Sequence, residues 1–142
     1  MRKGEMKRND KIGREVETEE REDEGQIEMR KWRKEMEEWK RMWERKKWDI
    51  IKIERKRFSQ TRDYQGEWDD GKRNGLGITF WVSGERTGNS HEGEYEEGTA
   101  NGKGICNYVN GDRYEGEFRG GYRSGKGTYF WKNGNWEEGE QE

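Results

Sequence analysis

The sequence predicts a mainly β protein, an elongated single-layer array of antiparallel β-hairpins preceded by a long charged α-helix. Three observations lead there. Of the 21 glycines only 3 precede Asp63 and 18 follow it, so the chain changes character near that residue. The glycine-rich part repeats itself at an interval of 23 residues, the mark of a stacked array. The part before it carries methionines and tryptophans at helical spacing. Composition excludes an ordinary globular core: hydrophobic residues make up 25% of the 142, charged residues 44%, and Leu76 is the one leucine. Disorder throughout is opposed by a net charge of only -2 and by the aromatic residues, which are half of the hydrophobic ones.

Residues 1–28 read as a charged, disordered tail. The first 14 are basic and lack an apolar face, and 6 of the 11 residues from Glu15 to Gly25 are glutamate. No apolar run near Met1 suggests a signal peptide or a membrane span. Cys106 is a single cysteine and excludes an internal disulfide framework. A reducing, cytoplasmic setting is expected, not a secreted one.

Residues 29–57 are predicted as a charged helix with a Trp/Met stripe. Met29, Trp32, Met36, Trp39 and Trp43 follow at steps of 3, 4, 3 and 4. Lys46 breaks the series, and Ile50 and Ile53 resume it. Lys34/Glu38, Glu37/Arg41 and Lys40/Glu44 sit one turn apart and support a solvated helix. The stretch "IIKIERKRF", residues 50–58, reads equally as a strand feeding the sheet.

Residues 64–142 form the array. "YQGEWDDGKRNGLGITFWVSGER" begins at Tyr64, "HEGEYEEGTANGKGICNYVNGDR" at His91, "YEGEFRGGYRSGKGTYFWKNGNW" at Tyr114, and "EEGE" at Glu137 opens a fourth copy. "TGNS", Thr87 to Ser90, is inserted in the first. Each copy reads as a hairpin whose first strand puts ring, glycine and ring on one face, as in Tyr64, Gly66 and Trp68. Ser83-Gly, Asn110-Gly and Asn133-Gly mark the connections between copies. A ring needs something flat beside it, and a glycine on the neighbouring strand provides bare backbone. Three ring columns are expected: Trp68/Tyr95/Phe118, Tyr64/His91/Tyr114 and Trp81/Tyr108/Trp131. The glycines Gly75/Gly77, Gly102/Gly104 and Gly125/Gly127 clear the space between them. The array is expected to fold by itself.

This grammar, a ring-x-Gly-x-ring start followed by Gly-x-Gly in three registered copies, resembles the MORN repeat (membrane occupation and recognition nexus). The resemblance spans Tyr64 to about Glu140, with His91 and Glu137 departing from the aromatic first position. It implies an elongated antiparallel β-structure that serves as a scaffold or docking surface in cytoskeletal, ciliary or membrane-junction assemblies. Phospholipid binding is a further proposal made for the family.

Catalytic, cofactor and metal roles find no support. Gly-x-Gly at Gly75, Gly102 and Gly125 lacks the remainder of a phosphate loop. Glu92/Glu94 and Glu115/Glu117 fall on one face of their strands, expected to be solvated. His91 has no second ligand and stands at a ring position. Partner binding is expected instead at Trp32, Met36, Trp39 and Trp43, a stripe with no obvious mate in the chain, and at Tyr108 and Trp131 on the array. The function expected is a non-enzymatic scaffold that docks protein partners in a larger cytoskeletal complex, a cilium or axoneme among the candidates. The alternatives are a peripheral adaptor on anionic lipid, suggested by 13 Lys/Arg against 6 Asp/Glu in residues 30–57, and a regulatory module of a separate enzyme. Nucleic acid is set aside.

Overall fold

The computed structural model describes residues 22–141, together with the backbone of two short strands before them. Those strands, β1 (Lys7–Asn9) and β2 (Glu15–Glu17), pair antiparallel. The remainder of the expected tail up to residue 21 lies outside the described residues.

The helix α1 spans Glu24–Ile50, so it starts five residues before the expected Met29 and takes in the end of the expected tail. The reason is a capping box. The Asp23 side chain accepts from the Gln26 N–H at 2.7 Å, and the Gln26 side chain accepts from the Asp23 N–H at 3.0 Å. These bonds satisfy donors that a helix start leaves open. The β-branched run after Ile50 ends the helix in a turn, with Ile53 N–H donating to Ile50 O at 3.0 Å. The ambiguous segment therefore resolves as helix end, turn and a two-residue strand, β3 (Lys56–Arg57).

Eight strands then form one antiparallel meander in chain order. They are β3, β4 (Arg62–Asp69), β5 (Lys72–Trp81), β6 (Ser90–Glu96), β7 (Thr99–Asn107), β8 (Arg113–Arg119), β9 (Tyr122–Phe130) and β10 (Trp136–Gln141). The insert in the first copy does not interrupt the sheet: Gly75 to Phe80 pair with Tyr95 to Ser90. Asn89 Oδ1 accepts from Val109 N–H at 2.8 Å, as Asp112 Oδ1 accepts from Lys132 N–H in the next copy.

The glycines of each Gly-x-Gly have separate tasks. The second lies under a ring: a side chain on Gly77 would run into the Tyr64 ring, one on Gly127 into Tyr114, and one on Gly104 into His91. The first, Gly75, Gly102 or Gly125, has a positive φ of 87°, 104° or 64° and faces the carboxylate of Glu67, Glu94 or Glu117. Each carboxylate accepts from the next backbone N–H, at Leu76, Lys103 and Lys126, over 2.5–2.8 Å. The first strand of each copy is irregular at this place, between Gly66/Trp68, Gly93/Tyr95 and Gly116/Phe118. The second glutamate of the motif thus caps a β-bulge.

Two of the expected ring columns merge. Trp68 meets Tyr64 at 5.0 Å, Tyr64 meets Tyr95 at 5.1 Å, and Tyr95 meets His91 at 5.7 Å. His91 meets Phe118 at 4.4 Å and Phe118 meets Tyr114 at 5.6 Å, every contact edge to face. Sheet twist and bulge together interleave the rings of successive copies into a zigzag.

The other face lies under α1. A straight row crosses the strands: Gln65, Ile78, Glu92, Ile105, Glu115, Thr128, Glu138. Trp32, Met36, Trp39, Trp43 and Ile50 pack with Ile78 and Ile105 into one core, joined at its margin by Leu76 and Phe80. The array alone would leave that core half open. The acidic pairs are corrected. Glu92 and Glu115 are buried at 9% and 6% exposure under the helix, whereas a solvated face is expected for them.

Two stability outcomes follow. Gly77→Val should destabilise by at least about 1–3 kcal/mol, since its side chain and the Tyr64 ring compete for one space. Trp43→Ala should cost about 3–5 kcal/mol, because it empties a fully buried site and removes the donor to Glu92. Thermal or urea melting of the full chain checks both. Parent-like melting of Trp43→Ala would mean that the helix does not share the core of the sheet.

Candidate functional site on the open face of the sheet

What α1 covers determines what remains free. Its attachment is a ladder. Arg33, Lys40 and Lys47 stand seven residues apart and meet Glu138 at 3.1 Å, Glu115 at 2.9 Å and Glu92 at 3.2 Å. Trp43 Nε1 also donates to Glu92, at 3.0 Å. The first copy has Gln65 at the same place, and its amide donates to the carbonyls of Ile51 and Ile53 past the helix end, at 3.1 and 2.8 Å. One heptad rises about 10.5 Å. One hairpin advances the sheet by two strand spacings, about 9.6 Å. The two periods nearly agree, so Glu92, Glu115 and Glu138 each face the next cation of the helix. Burial works against the Lys40 charge, but hydrogen bonds to Glu115 and Glu37 outweigh it and raise its pKa above the usual lysine value.

Trp32, Met36, Trp39 and Trp43 are therefore not an exposed anchor. They are 0–8% exposed, and their mate is the sheet of their own chain. Period-two patterning on the strands concealed this, because the facing row mixes isoleucines with glutamates that look solvated.

Tyr108 and Trp131 lie on the opposite, open face. Tyr108 stacks on Tyr129 at 5.9 Å, and Tyr129 meets Trp131 at 5.0 Å. Trp131 stays 40% exposed. Beside them runs a groove of about 750 Å³, bounded by Trp81 and Tyr108 towards one set of connections and by Tyr122 towards the other. Arg62, Arg73, Arg86 and Arg123 line it, and among the described residues no aspartate or glutamate does. The sequence reading missed these arginines. They are 11, 13 and 37 residues apart in the chain, so no motif unites them, and only the meander brings them to one face.

His91 and Cys106 meet at the bottom of the groove, with Nδ1 and Sγ 3.0 Å apart. The contact is not an activated pair. Burial pushes the Cys106 thiol up to about 12 and the His91 imidazole down to about 3, the Arg73 charge adding to the latter. At neutral pH a thiol faces a neutral imidazole, and no thiolate nucleophile is present. Among the described residues no group of three or more His, Cys, Asp or Glu side chains is placed to hold a metal ion. No helix among them is long and apolar enough to cross a membrane.

A single sheet with one face closed by a helix and the other open as a ring-lined, arginine-lined groove defines a repeat module for binding. The MORN repeat model matches residues 64–86, 91–113 and 114–140, just over half of the chain, and the protein belongs to the MORN-repeat family. No curated protein matches the chain as a relative. The family is a non-catalytic repeat module, generally an adaptor for proteins or membranes.

His91 yields a pH outcome. Its pKa in the folded chain lies below its ordinary 6.5, so the unfolded chain takes up a proton first. Its contribution to stability is complete above about pH 6.5 and falls as pH drops from there towards 3. Its Nε2 is buried without a hydrogen-bond partner, at a position where Tyr64 in the first copy donates to Glu67 O at 3.0 Å. His91→Tyr should match or exceed parental stability at about pH 7 and lose less of it by about pH 5. Equal melting-temperature slopes for parent and variant would count against a buried neutral imidazole.

Proposed function

We infer that this protein is a non-enzymatic adaptor that docks a protein partner on the open face of its sheet, as a subunit of a larger cytoskeletal assembly such as a ciliary one. The observation that carries the reading is the division of the two faces. One is closed by α1, and the other keeps exposed rings and guanidinium groups in a concave surface, those of Arg86 and Arg123 without a carboxylate partner among the described residues. Of the acidic pairs singled out in the sequence, Glu92 and Glu115 hold the helix and Glu94 and Glu117 cap bulges, and the His91–Cys106 contact pairs a thiol with a neutral imidazole.

Lipid binding through the helix loses its electrostatic basis. Arg33, Lys40 and Lys47 are engaged with the sheet. The exposed positions of α1 then carry six cations (Arg30, Lys31, Lys34, Arg41, Arg45, Lys46) and seven anions (Glu24, Glu28, Glu35, Glu37, Glu38, Glu44, Asp49). A mixed surface of that kind offers no net attraction to anionic headgroups.

A photo-crosslinking amino acid placed at Tyr108 or Trp131 in the full chain should capture one discrete protein from an extract of the source cell, and one placed at Arg41 on the outer helix should not. Trp131→Ala should weaken binding of that protein by about 2 kcal/mol while leaving the melting temperature close to the parent's. Capture from Arg41 alone would move the docking surface to the helix and overturn the reading.

A further inference from the structure

We propose that the groove on the open face holds an acidic segment of the protein partner, gripped between the guanidinium groups of Arg86 and Arg123. This rests on the reading of the open face as the docking surface, and it names the chemistry of what docks there.

The four groove arginines are not equivalent. Arg73 belongs to the wall: it donates to Thr79 Oγ1 at 3.0 Å and to Gly98 O at 2.5 Å, and lies over the rings of Phe58 and Tyr95. Arg62 lies over Phe58. Arg86 and Arg123 are exposed and have no carboxylate partner among the described residues, although Arg123 rests 5.0 Å from the Tyr114 ring centre. Arg86 comes from the connection lengthened by the insert in the first copy. That connection is well ordered by its own backbone. Thr87 N–H donates to Gly84 O, Gly88 N–H to Trp81 O at 2.9 Å, and Asn89 N–H to Arg86 O at 2.9 Å. Arg86 thus stands at the groove just before the insert, and the sheet stays continuous across it. A guanidinium fork matches the two oxygens of a carboxylate. Tyr122, 79% exposed, and Trp81 offer flat apolar surface to the stem of such a side chain or to extended backbone.

A carboxylate-bearing peptide fits better than an anionic bilayer for two reasons of shape and charge. The cations lie within a concavity, which a chain can enter and a flat surface cannot. The hairpin turns along one rim carry exposed acids, Asp69, Asp70, Glu96 and Glu97, which an anionic bilayer would meet first.

The test uses the full chain and a fluorescein-labelled peptide of about 12 alternating Glu and Ala residues, long enough to lie extended along the groove. A Lys/Ala peptide is the control. Anisotropy should show binding of the Glu peptide alone, weakening with added salt. Arg86→Ala and Arg123→Ala should each raise its Kd about tenfold or more, with melting unchanged because both side chains are exposed. The double variant Arg41→Ala/Arg45→Ala on the outer helix should bind as the parent does. Failure of the Glu peptide to bind, or an equal loss in the helix variant, overturns the proposal. So does co-sedimentation of the parent with phosphatidylserine vesicles that Arg86→Ala/Arg123→Ala abolishes, since lipid is then the occupant. If the Glu peptide fails while Tyr108 and Trp131 still crosslink a partner, the docking face stands and its acidic occupant falls. If those crosslinks also fail, the docking reading itself falls.

Discussion

The agreement between a heptad and a hairpin holds this protein together. A single-layer sheet has two faces and too few aliphatic residues to close either. Here one helix crosses the strands of three copies, and its period of seven residues advances at nearly the pace of the repeat. Glu92, Glu115 and Glu138 each meet the next basic residue along the helix, and tryptophans and methionines between these pairs meet Ile78 and Ile105. The helix and the sheet share one core, and the helix supplies the second layer that the sheet otherwise lacks.

Burying the pairs at Glu92 and Glu115 is tolerable because each of these carboxylates has two donors. Glu92 receives both Lys47 and the Trp43 indole N–H, and Glu115 receives Lys40 and Arg113. A buried carboxylate with one weak partner would oppose folding. With two donors it fixes where along the sheet the helix sits. Hydrophobic contact, which has no direction, does not supply that register.

The closed face also decides which surface is left for partners. Rings over glycines knit the opposite face into a zigzag, but their outer edges, and two guanidinium groups beside them, still meet solvent. The family to which the chain belongs binds proteins or membranes, and in this chain exposed rings and cations lie on the open, concave face of the sheet.

Much of this was legible in the residues themselves. Ring-x-Gly-x-ring spacing determined the hairpins, the three copies and the use of bare glycine under Tyr64 and Tyr114, because each depends on neighbours at most one hairpin away. Helical spacing from Met29 to Trp43 likewise determined a helix with one apolar stripe. The tertiary structure alone decided where that stripe goes. Its target is a row rich in isoleucine and glutamate that crosses seven strands, a surface that exists only once the meander has formed. Arg62, Arg73, Arg86 and Arg123 are far apart in the chain and share no pattern, so their groove too is a product of the assembled sheet. Local periodicity reports which side of an element is apolar. It does not report which other surface has the matching period, and that match placed the helix, buried Glu92 and Glu115, and left the arginine face open.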